Sequence, residues 1–298
     1  MKAAAALATE MFKEGRAAVD VVEAVVALLE DDGTFDAGRG SFLNTIGEVE
    51  MDAIIAKDTL EMGAVCAVQN IRNPVRLARR LMEDTKCVML VGSDGCKRFA
   101  KEQGIGLCDT KDLLVGRELE RYNALMGVTG YESKSAFGRV KTNGMGTVGC
   151  VAVDASGNIA SALSTGGTPF KRPGRVGDTP LWGAGCFVER GVGGAAATGY
   201  GEDLIRVLFA RSAIDGLIYA SGEPDATHAA QRAVQRLEEK ASGLGGIIVA
   251  APGQRGIGIA FNTPRMAFAF GTSSMKEAAW GVEREELQRA LASNEELM

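Results

Sequence analysis

A segment with few apolar side chains divides the chain into two well-patterned halves. Residues 127–146 consist largely of Gly, Ser, Thr, Lys and Asn, a composition typical of a linker. Alternating apolar residues follow at once over 147–153, then a turn signal over 154–158 and a returning strand over 159–164. This pattern predicts a β-hairpin that starts at Thr147. A fold of this chain must therefore join the end of a flexible linker to the start of a buried strand.

Helical and strand patterns alternate on both sides of this segment. They favour an α/β (α+β) fold in which helix layers cover two packed sheets. Periodicity fades from about residue 104, so we expect the linker to extend over about 104–146. The expected helices are 17–29, 73–83, 94–103, 202–213, 225–241 and 276–298, and the expected strands besides the hairpin are 49–55, 63–68, 87–91 (short and buried), 246–251, 256–262 and 266–271.

Composition excludes several classes of protein. With 298 residues, 46% of them hydrophobic, the chain can bury a large core. Its net charge of −5 comes from interspersed acidic and basic residues, which form neither a basic stripe for nucleic acid nor a polybasic run for a membrane surface. The Ala-rich stretch over residues 3–8 shows no signal-cleavage pattern and is too short to cross a membrane. We therefore expect a cytoplasmic protein with no nucleic-acid or membrane partner.

The chain contains one histidine, His228, in an amphipathic stretch where we expect an ordinary helix residue. A Ser-His-Asp or Cys-His hydrolase needs an imidazole base, and a His-rich metal site needs several imidazoles. The six cysteines include no CxxC pair, so neither a disulfide framework nor a zinc ribbon is indicated. A hydrolase built on this chain would have to activate its nucleophile in another way.

A hydroxyl nucleophile can also be activated by a lysine of lowered pKa or by its own α-amine. The second route requires cleavage of the chain directly before the nucleophile. The Gly146-Thr147 step suits that route, because a cut there would leave Thr147 with a hydroxyl and a free amine at a rigid sheet edge.

The chain contains a series of short motifs in a recognisable order. They are Glu30-Asp31-Asp32, Phe35-Asp36-Ala37-Gly38, residues 44–53, Gly63-Ala64-Val65, Asn73-Pro74, Gly146-Thr147-Val148-Gly149, Ser164-Thr165-Gly166-Gly167, residues 171–180, Gly183-Ala184-Gly185 and Ala197-Thr198-Gly199-Tyr200-Gly201-Glu202. In order and spacing, the chain resembles the threonine-type (plant-type) L-asparaginase and β-aspartyl (isoaspartyl) peptidase family of N-terminal-nucleophile (Ntn) hydrolases, which is related to glycosylasparaginase. The resemblance covers nearly the whole chain.

The resemblance implies a four-layer αββα sandwich, the Ntn-hydrolase fold. It also implies cleavage between Gly146 and Thr147 into an α chain (1–146), which ends in the linker, and a β chain (147–298). The two chains together would form one domain, and the family assembles as a homodimer of αβ units. No organic cofactor is expected.

The catalytic residues implied by the motifs are Thr147, Thr165, Thr198 and Gly199. Thr147 would attack the side-chain amide of the substrate, and its own amine would act as the base. Thr165 and Thr198 would place two further hydroxyls nearby. Backbone amides at Thr198 and Gly199 would help to form an oxyanion hole, because glycine permits close approach.

The substrate-binding residues implied by the motifs are Arg175, Asp178 and Gly201. Arg175 could bind an α-carboxylate by bidentate hydrogen bonds, and Asp178 could bind an α-ammonium. Together these residues describe a small-molecule substrate with an aspartyl moiety, either asparagine or a β-aspartyl peptide.

In relatives, backbone carbonyls of the loop after the second helix hold a structural sodium ion. In this chain the corresponding loop contains Leu29, Glu30, Asp32, Phe35, Ala37 and Arg39. The resemblance therefore implies a structural Na⁺ at this loop.

Two departures from the family pattern bear on activity. The family's first strand, which ends in a His-Gly-Gly-Ala-Gly-like turn, has no counterpart before the first helix, and Asp36 stands where relatives carry asparagine. A carboxylate there could keep the amine of Thr147 protonated. We therefore expect slow or incomplete cleavage and low turnover, and one alternative is an uncleaved, inactive scaffold.

Another alternative concerns the branch of the family. Phe170-Lys171 and the run from Ala195 to Gly199 are similar to glycosylasparaginases rather than to the peptidase branch. A glycosylasparaginase-like or threonine-endopeptidase activity therefore stands beside hydrolysis of asparagine or β-aspartyl dipeptides.

Overall fold

The computed structural model describes residues 1–84, 86–136, 146–219 and 225–295. Within them the helices are α1 (Lys2–Lys13), α2 (Ala18–Asp32), α3 (Pro74–Asp84), α4 (Ser93–Glu102), α5 (Thr110–Leu113), α6 (Gly116–Leu125), α7 (Gly201–Val207), α8 (Phe209–Ile218), α9 (Ala226–Ala241) and α10 (Arg284–Glu295). The strands are β1 (Met51–Lys57), β2 (Met62–Val68), β3 (Met89–Val91), β4 (Val148–Val153), β5 (Ile159–Thr165), β6 (Cys186–Glu189), β7 (Gly193–Gly199), β8 (Gly245–Ala250), β9 (Ile257–Phe261), β10 (Phe268–Phe270) and β11 (Ala279–Gly281). The protein is a mixed α/β protein with several sheets.

The largest sheet has five strands in the order β3-β2-β1-β5-β4. The predicted hairpin forms its β4–β5 edge, with Val148 opposite Ser164 and Val153 opposite Ile159. Strand β5 also pairs antiparallel with β1, from Asp52 opposite Thr165 to Lys57 opposite Ala160. One continuous sheet therefore contains strands from both sides of the predicted linker.

A second sheet has four strands in the order β6-β7-β8-β9, and β10 and β11 form a separate pair. Strands β4 and β5 contact β7 across the space between the two larger sheets. The side chains between them are small or aliphatic and include Ile54, Leu163 and Val188. The hydroxyl of Ser161 crosses this layer and donates to the carbonyl oxygen of Ala195 at 3.2 Å.

Helices pack on both sheets. Helix α2 contacts β4 and β5, and α3 contacts β1 and β2, while α8 contacts β6 and β7 and α9 contacts β8 and β9. Helix α2 buries Val21, Val22, Val25, Val26 and Leu29 against the five-stranded sheet. Each such side chain contributes about 1.5–3 kcal/mol when fully buried. Hydrophobic burial therefore holds α2 against the hairpin that carries Thr147.

Several expectations about individual elements were wrong. The segment expected to be a linker contains α5 and α6 at its start, because Leu113 and Glu118 are buried against the rest of the protein. Residues 137–145, the end of that segment, lie outside the described residues. Strand β3 lies at a sheet edge, and Val91 is exposed rather than buried. The helix expected over 202–213 is interrupted at Leu208, whose φ of 49° is left-handed.

Candidate active site

Thr147 lies directly before β4, beside the end of β5. The hydroxyl oxygens of Thr147 and Thr165 are 3.2 Å apart, with Thr147 as the donor. The backbone N–H of Gly167 donates to the same Thr165 oxygen at 3.0 Å. The hairpin register brings the two threonines together, because Val148 pairs with Ser164. The first distance is longer than usual for a hydrogen bond between two hydroxyls.

Thr198 and Gly199 come from the end of β7 in the other sheet. A Cβ atom placed on Gly146 would lie 3.5 Å from the hydroxyl oxygen of Thr198, so this hydroxyl borders the Gly146-Thr147 bond. Gly199 has a φ of 152°, and a Cβ there would come within 2.5 Å of the Leu244 carbonyl oxygen. Only glycine fits that position. The ends of two sheets thus bring Thr147, Thr165 and Thr198 to one place.

Arg175, Asp178 and Gly201 form a second group. A Cβ on Gly201 would lie 2.9 Å from both Arg175 Nη2 and Asp178 Oδ1, so the glycine backbone packs directly against both charged groups. Arg175 donates from Nε and Nη2 to the two carboxylate oxygens of Glu202, at 3.0 and 2.8 Å. The sequence motif contained Glu202 but did not assign it a role.

Asp178 is buried, and its Oδ2 has no hydrogen-bond partner among the described residues. Burial raises the pKa of Asp178 to about 7, although the nearby positive charge of Arg175 acts in the opposite direction. A buried, unpartnered carboxyl oxygen suits a ligand that brings its own positive charge.

Gly167 connects the two groups. Its N–H is bonded to Thr165, and a Cβ on it would lie 3.4 Å from Arg175 Nη1 and 2.9 Å from Lys171 Nζ. The cluster of threonine hydroxyls around Thr147 and the cluster of charged side chains around Arg175 therefore lie next to each other, on either side of the backbone at Gly167.

Asp36 lies behind this segment. Its carbonyl accepts the N–H of Gly166 at 2.9 Å, and its Oδ1 accepts the N–H of Phe42 at 2.8 Å. Burial raises the pKa of Asp36 to about 8, although the Phe42 N–H and the charge of Lys171 act against this. At neutral pH the side chain is therefore largely an uncharged acid.

Lys171 is a buried cation that sequence reasoning did not assign to the site. Its Nζ donates to the carbonyl oxygen of Glu50 at 2.7 Å. Burial lowers the pKa of Lys171, while the neighbouring Asp52 and Asp36 act in the opposite direction. Burial also disfavours the charge of Asp52 and so raises the pKa of this carboxyl, while the positive charge of Lys171 acts to lower it. The signal that the sequence offered was the place of Lys171 at the start of the 171–180 motif, because its burial and its proximity to Asp36 and Asp52 arise only in the fold.

The loop after α2 is closed by hydrogen bonds. The N–H of Arg39 donates to the Glu30 carbonyl at 2.8 Å, and that of Gly40 donates to the Leu113 carbonyl at 2.8 Å. The ligands expected here are carbonyl oxygens, which suit hard cations, and the Glu30 carbonyl keeps a second lone pair. These residues are compatible with a structural Na⁺. Among the described residues, no group of three His, Cys, Asp or Glu side chains is arranged to hold a metal ion.

A cavity of about 700 Å³ adjoins Thr147, Thr198 and Gly199. Its other walls are mainly apolar side chains of α1, α2 and the strands β4, β8, β9 and β10, and Arg175 and Asp178 do not line it. The cavity runs beside β4, the edge strand of the five-stranded sheet.

His228 lies on α9, far from being a candidate base. Its side chain is 74% exposed and its Nδ1 lies 2.8 Å from the Asp225 carboxylate, so it is an ordinary surface residue as expected.

Known proteins of one family are similar to this chain over most of its length. The model of a family described as asparaginase matches residues 1–279. The chain is 41% identical over 254 residues to the human isoaspartyl peptidase/L-asparaginase, covering 84% of this chain and 78% of that protein. It is 39% identical over 250 residues to the zebrafish (Danio rerio) isoaspartyl peptidase/L-asparaginase, with the same coverage. It is 37% identical over 265 residues to the isoaspartyl peptidase of Escherichia coli (strain K12), covering 88% and 81%.

The fold, the hydroxyl group and these matches together define a hydrolase. The chain belongs to the asparaginase family, as its motifs predicted. In the part of the chain that the structure describes, no helix is both long and apolar enough to cross a membrane.

Proposed function

We propose that this chain is a self-processing amidohydrolase that hydrolyses L-asparagine, β-aspartyl dipeptides or both, with Thr147 as the nucleophile. The observation that carries the proposal is the hydroxyl pair of Thr147 and Thr165, directly after Gly146 and beside Thr198. The names of the relatives, isoaspartyl peptidase and L-asparaginase, support the same substrates.

In the maturation step, the Thr147 hydroxyl attacks the carbonyl carbon of Gly146. The Thr147 oxygen forms an ester with Gly146, the peptide C–N bond breaks, and the nitrogen takes up a proton to become a free amine. Water then hydrolyses the ester, which leaves a carboxylate on Gly146 and regenerates the hydroxyl. Thr165 can hold the hydroxyl of Thr147, since its oxygen already accepts that hydrogen bond.

In the hydrolytic step, the free amine of Thr147 takes the proton of its own hydroxyl, which attacks the side-chain amide carbon of the substrate. The Thr198 hydroxyl and the backbone amides at Thr198 and Gly199 would donate to the developing oxyanion. The amine then gives its proton to the leaving nitrogen, and water releases aspartate from the acyl-enzyme. Arg175 holds the α-carboxylate and Asp178 the α-ammonium.

The proposal includes the architecture of the active form. The contacts between the two sheets, with helices on their other faces, support a four-layer αββα sandwich of the Ntn type. Residues 1–146 would be the α chain and 147–298 the β chain, in a homodimer of αβ units without an organic cofactor. Carbonyls of Leu29, Glu30, Asp32, Phe35, Ala37 and Arg39 would hold a structural Na⁺.

Self-cleavage is the first test. Purified protein incubated without protease or metal should yield two chains of nearly equal size on a denaturing gel, and Thr147→Ala should remain one chain. Thr227→Ala is a matched control, because Thr227 is a half-buried threonine bonded to the Ile257 carbonyl on the other sheet. It should cleave like the wild type. Cleavage of Thr147→Ala at the same bond would exclude Thr147 as the nucleophile, and a wild type that never cleaves would support the inactive scaffold.

Substrate preference is the second test. Cleaved protein should be assayed with L-asparagine, β-aspartyl dipeptides and glycosylated asparagine. We expect activity on the first two, and Arg175→Ala should lower kcat/KM about ten- to a hundred-fold, because a charge-assisted contact of about 1.5–3 kcal/mol is lost. Preference for glycosylated asparagine would assign the chain to the other branch. Unchanged efficiency in an Arg175→Ala variant that still cleaves itself would show that Arg175 does not bind the substrate.

A further inference from the structure

Arg175 has a carboxylate partner before any substrate arrives. Its Nε and Nη2 bind the two oxygens of Glu202 at 3.0 and 2.8 Å, which is the bidentate geometry that fixes a guanidinium in both position and plane. The Arg175 side chain is 15% exposed and that of Glu202 33%. Burial is the largest influence on Glu202 and disfavours its charge, but the hydrogen bonds and the positive charge of Arg175, together with smaller contributions, lower the pKa of this carboxyl. The pair is therefore ionised at neutral pH.

This contact determines which part of Arg175 remains for a ligand. The third nitrogen, Nη1, lies toward the backbone of Gly167 and Gly177. A Cβ atom placed on Gly167 would lie 3.4 Å from Nη1, and one placed on Gly177 would lie 2.9 Å from it. The N–H of Gly167 is bonded to Thr165, so Nη1 lies on the side of the guanidinium nearest the hydroxyl pair. An α-carboxylate that reaches Arg175 from the reacting centre would meet Nη1.

Asp178 is the competing partner for Arg175. A Cβ on Gly201 would lie 2.9 Å from both Arg175 Nη2 and Asp178 Oδ1, so the two opposite charges flank one glycine. Asp178 is buried and its Oδ2 has no partner among the described residues. An arginine side chain has several rotatable bonds, and a guanidinium freed from Glu202 would turn toward this carboxylate. The two groups that bind the substrate would then neutralise each other.

We propose that Glu202 is a positioning residue that holds Arg175 apart from Asp178, so that the α-carboxylate and the α-ammonium of the substrate each find a free partner. This inference rests on the proposed function, which assigns Arg175 and Asp178 to those two groups. It makes Glu202 a determinant of specificity for ligands with a free α-carboxylate, although Glu202 touches no reacting atom.

Succinate is a suitable probe, because it has the carbon skeleton and both carboxylates of aspartate but no ammonium and therefore does not need Asp178. Its Kd should be measured by calorimetry for the cleaved wild type, Glu202→Ala, Asp178→Asn and the double variant. We expect Glu202→Ala to weaken succinate binding about tenfold, and Glu202→Gln, which keeps one acceptor oxygen, about threefold. Asp178→Asn should change it less than twofold, and the double variant should recover most of the loss, because the competing carboxylate is gone.

A general loss of structure would give the opposite pattern, since two damaging changes add rather than cancel. Asp215→Asn is the matched control: Asp215 accepts from Arg211 Nε at 2.7 Å on α8, and its loss should leave succinate binding unchanged. With L-asparagine as substrate, Glu202→Ala should raise KM about tenfold and leave kcat within twofold.

Unchanged succinate binding in Glu202→Ala, or a double variant as weak as the single one, would overturn the inference. So would a wild type that binds no succinate, because Arg175 would then receive no carboxylate. A wild type that shows the full binding pattern but hydrolyses no aspartyl amide would leave the positioning role in place and refute the proposed function alone.

Discussion

Thr165 accepts hydrogen bonds from both the Thr147 hydroxyl and the Gly167 N–H, so one side chain joins the proposed nucleophile to the segment that borders Arg175. The same segment is held from behind by Asp36, whose carbonyl accepts the Gly166 N–H. Small displacements of residues 165–167 would therefore affect both the threonine hydroxyls around Thr147 and the charged side chains around Arg175. At the scale of single residues, the chemistry depends on whether the buried carboxyl groups of Asp36 and Asp178 carry a charge.

Asp178 should affect how activity depends on pH. Burial raises its pKa to about 7, so the carboxylate that is to bind an ammonium is lost as the pH falls below 7. The α-amine of Thr147, with an ordinary pKa of about 7.7–8.0, must also be unprotonated to act as a base. We expect log(kcat/KM) for L-asparagine to fall with a slope approaching two below pH 7 in the cleaved wild type, and with a slope of one in Asp178→Asn. Equal slopes would show that Asp178 does not titrate in this range.

Asp36→Asn tests whether the acid in place of an asparagine harms activity. Burial raises the pKa of Asp36 to about 8, so at pH 7 the wild-type side chain is mostly uncharged and resembles an asparagine in this respect. We expect Asp36→Asn to change kcat/KM less than twofold at pH 7 and to raise it severalfold at pH 9, where the wild type carries a buried negative charge beside Gly166. A large gain already at pH 7 would mean that Asp36 is ionised there and keeps the Thr147 amine protonated.

At the scale of elements, the hairpin and the break between α7 and α8 show two kinds of local control. The β4–β5 hairpin follows from alternation and a turn of Asp154 to Asn158, where the Asp154 carboxylate accepts the N–H groups of Ser156 and Asn158. The break at Leu208 has no such signal, because leucine is a good helix former. Leu208 adopts the left-handed conformation because α7 and α8 must each pack on the four-stranded sheet and α9.

Leu208→Gly tests the strain at this break. A left-handed leucine costs about 1–2 kcal/mol, which offsets the entropy that a glycine loses on folding. Because Leu208 is exposed, we expect the free energy of unfolding from urea titration to stay within about 0.5 kcal/mol of the wild type or to rise. Arg232→Gly, at an exposed position within α9, is the control and should lose about 1 kcal/mol. Equal losses at both positions would mean that Leu208 is not strained.

At the scale of the whole molecule, the two proposed chains are held in one sheet. Strand β1 from residues 1–146 pairs along its length with β5 from residues 147–298, and α2 packs on β4 and β5. A cut between Gly146 and Thr147 breaks one covalent bond and none of these contacts. The hydrophobic cores of the two parts are therefore shared rather than separate.

Cleaved protein should accordingly remain one particle. We expect both fragments to coelute in size-exclusion chromatography under native conditions and to separate only in denaturant, with Thr147→Ala as the uncut reference. Each half expressed alone should fail to give soluble protein, because β1 and β5 would each expose an unpaired edge and apolar side chains. A soluble, folded fragment 147–298 that elutes by itself would refute the single shared sheet.

Local patterns in the sequence were sufficient for the hairpin, for most helices and for the motifs that placed the chain in the asparaginase family. They were insufficient for β6 and β7, because Gly193-Gly194-Ala195-Ala196-Ala197 has no apolar alternation; its small side chains let the two sheets approach closely. The pairing of β1 with β5, the position of the Thr198 hydroxyl beside Gly146 and the contact of Arg175 with Glu202 join residues far apart in the chain. Periodicity and turn chemistry act over a few neighbouring residues, whereas such pairings, and the raised pKa values of Asp36 and Asp178, exist only once packing has removed water from around these groups.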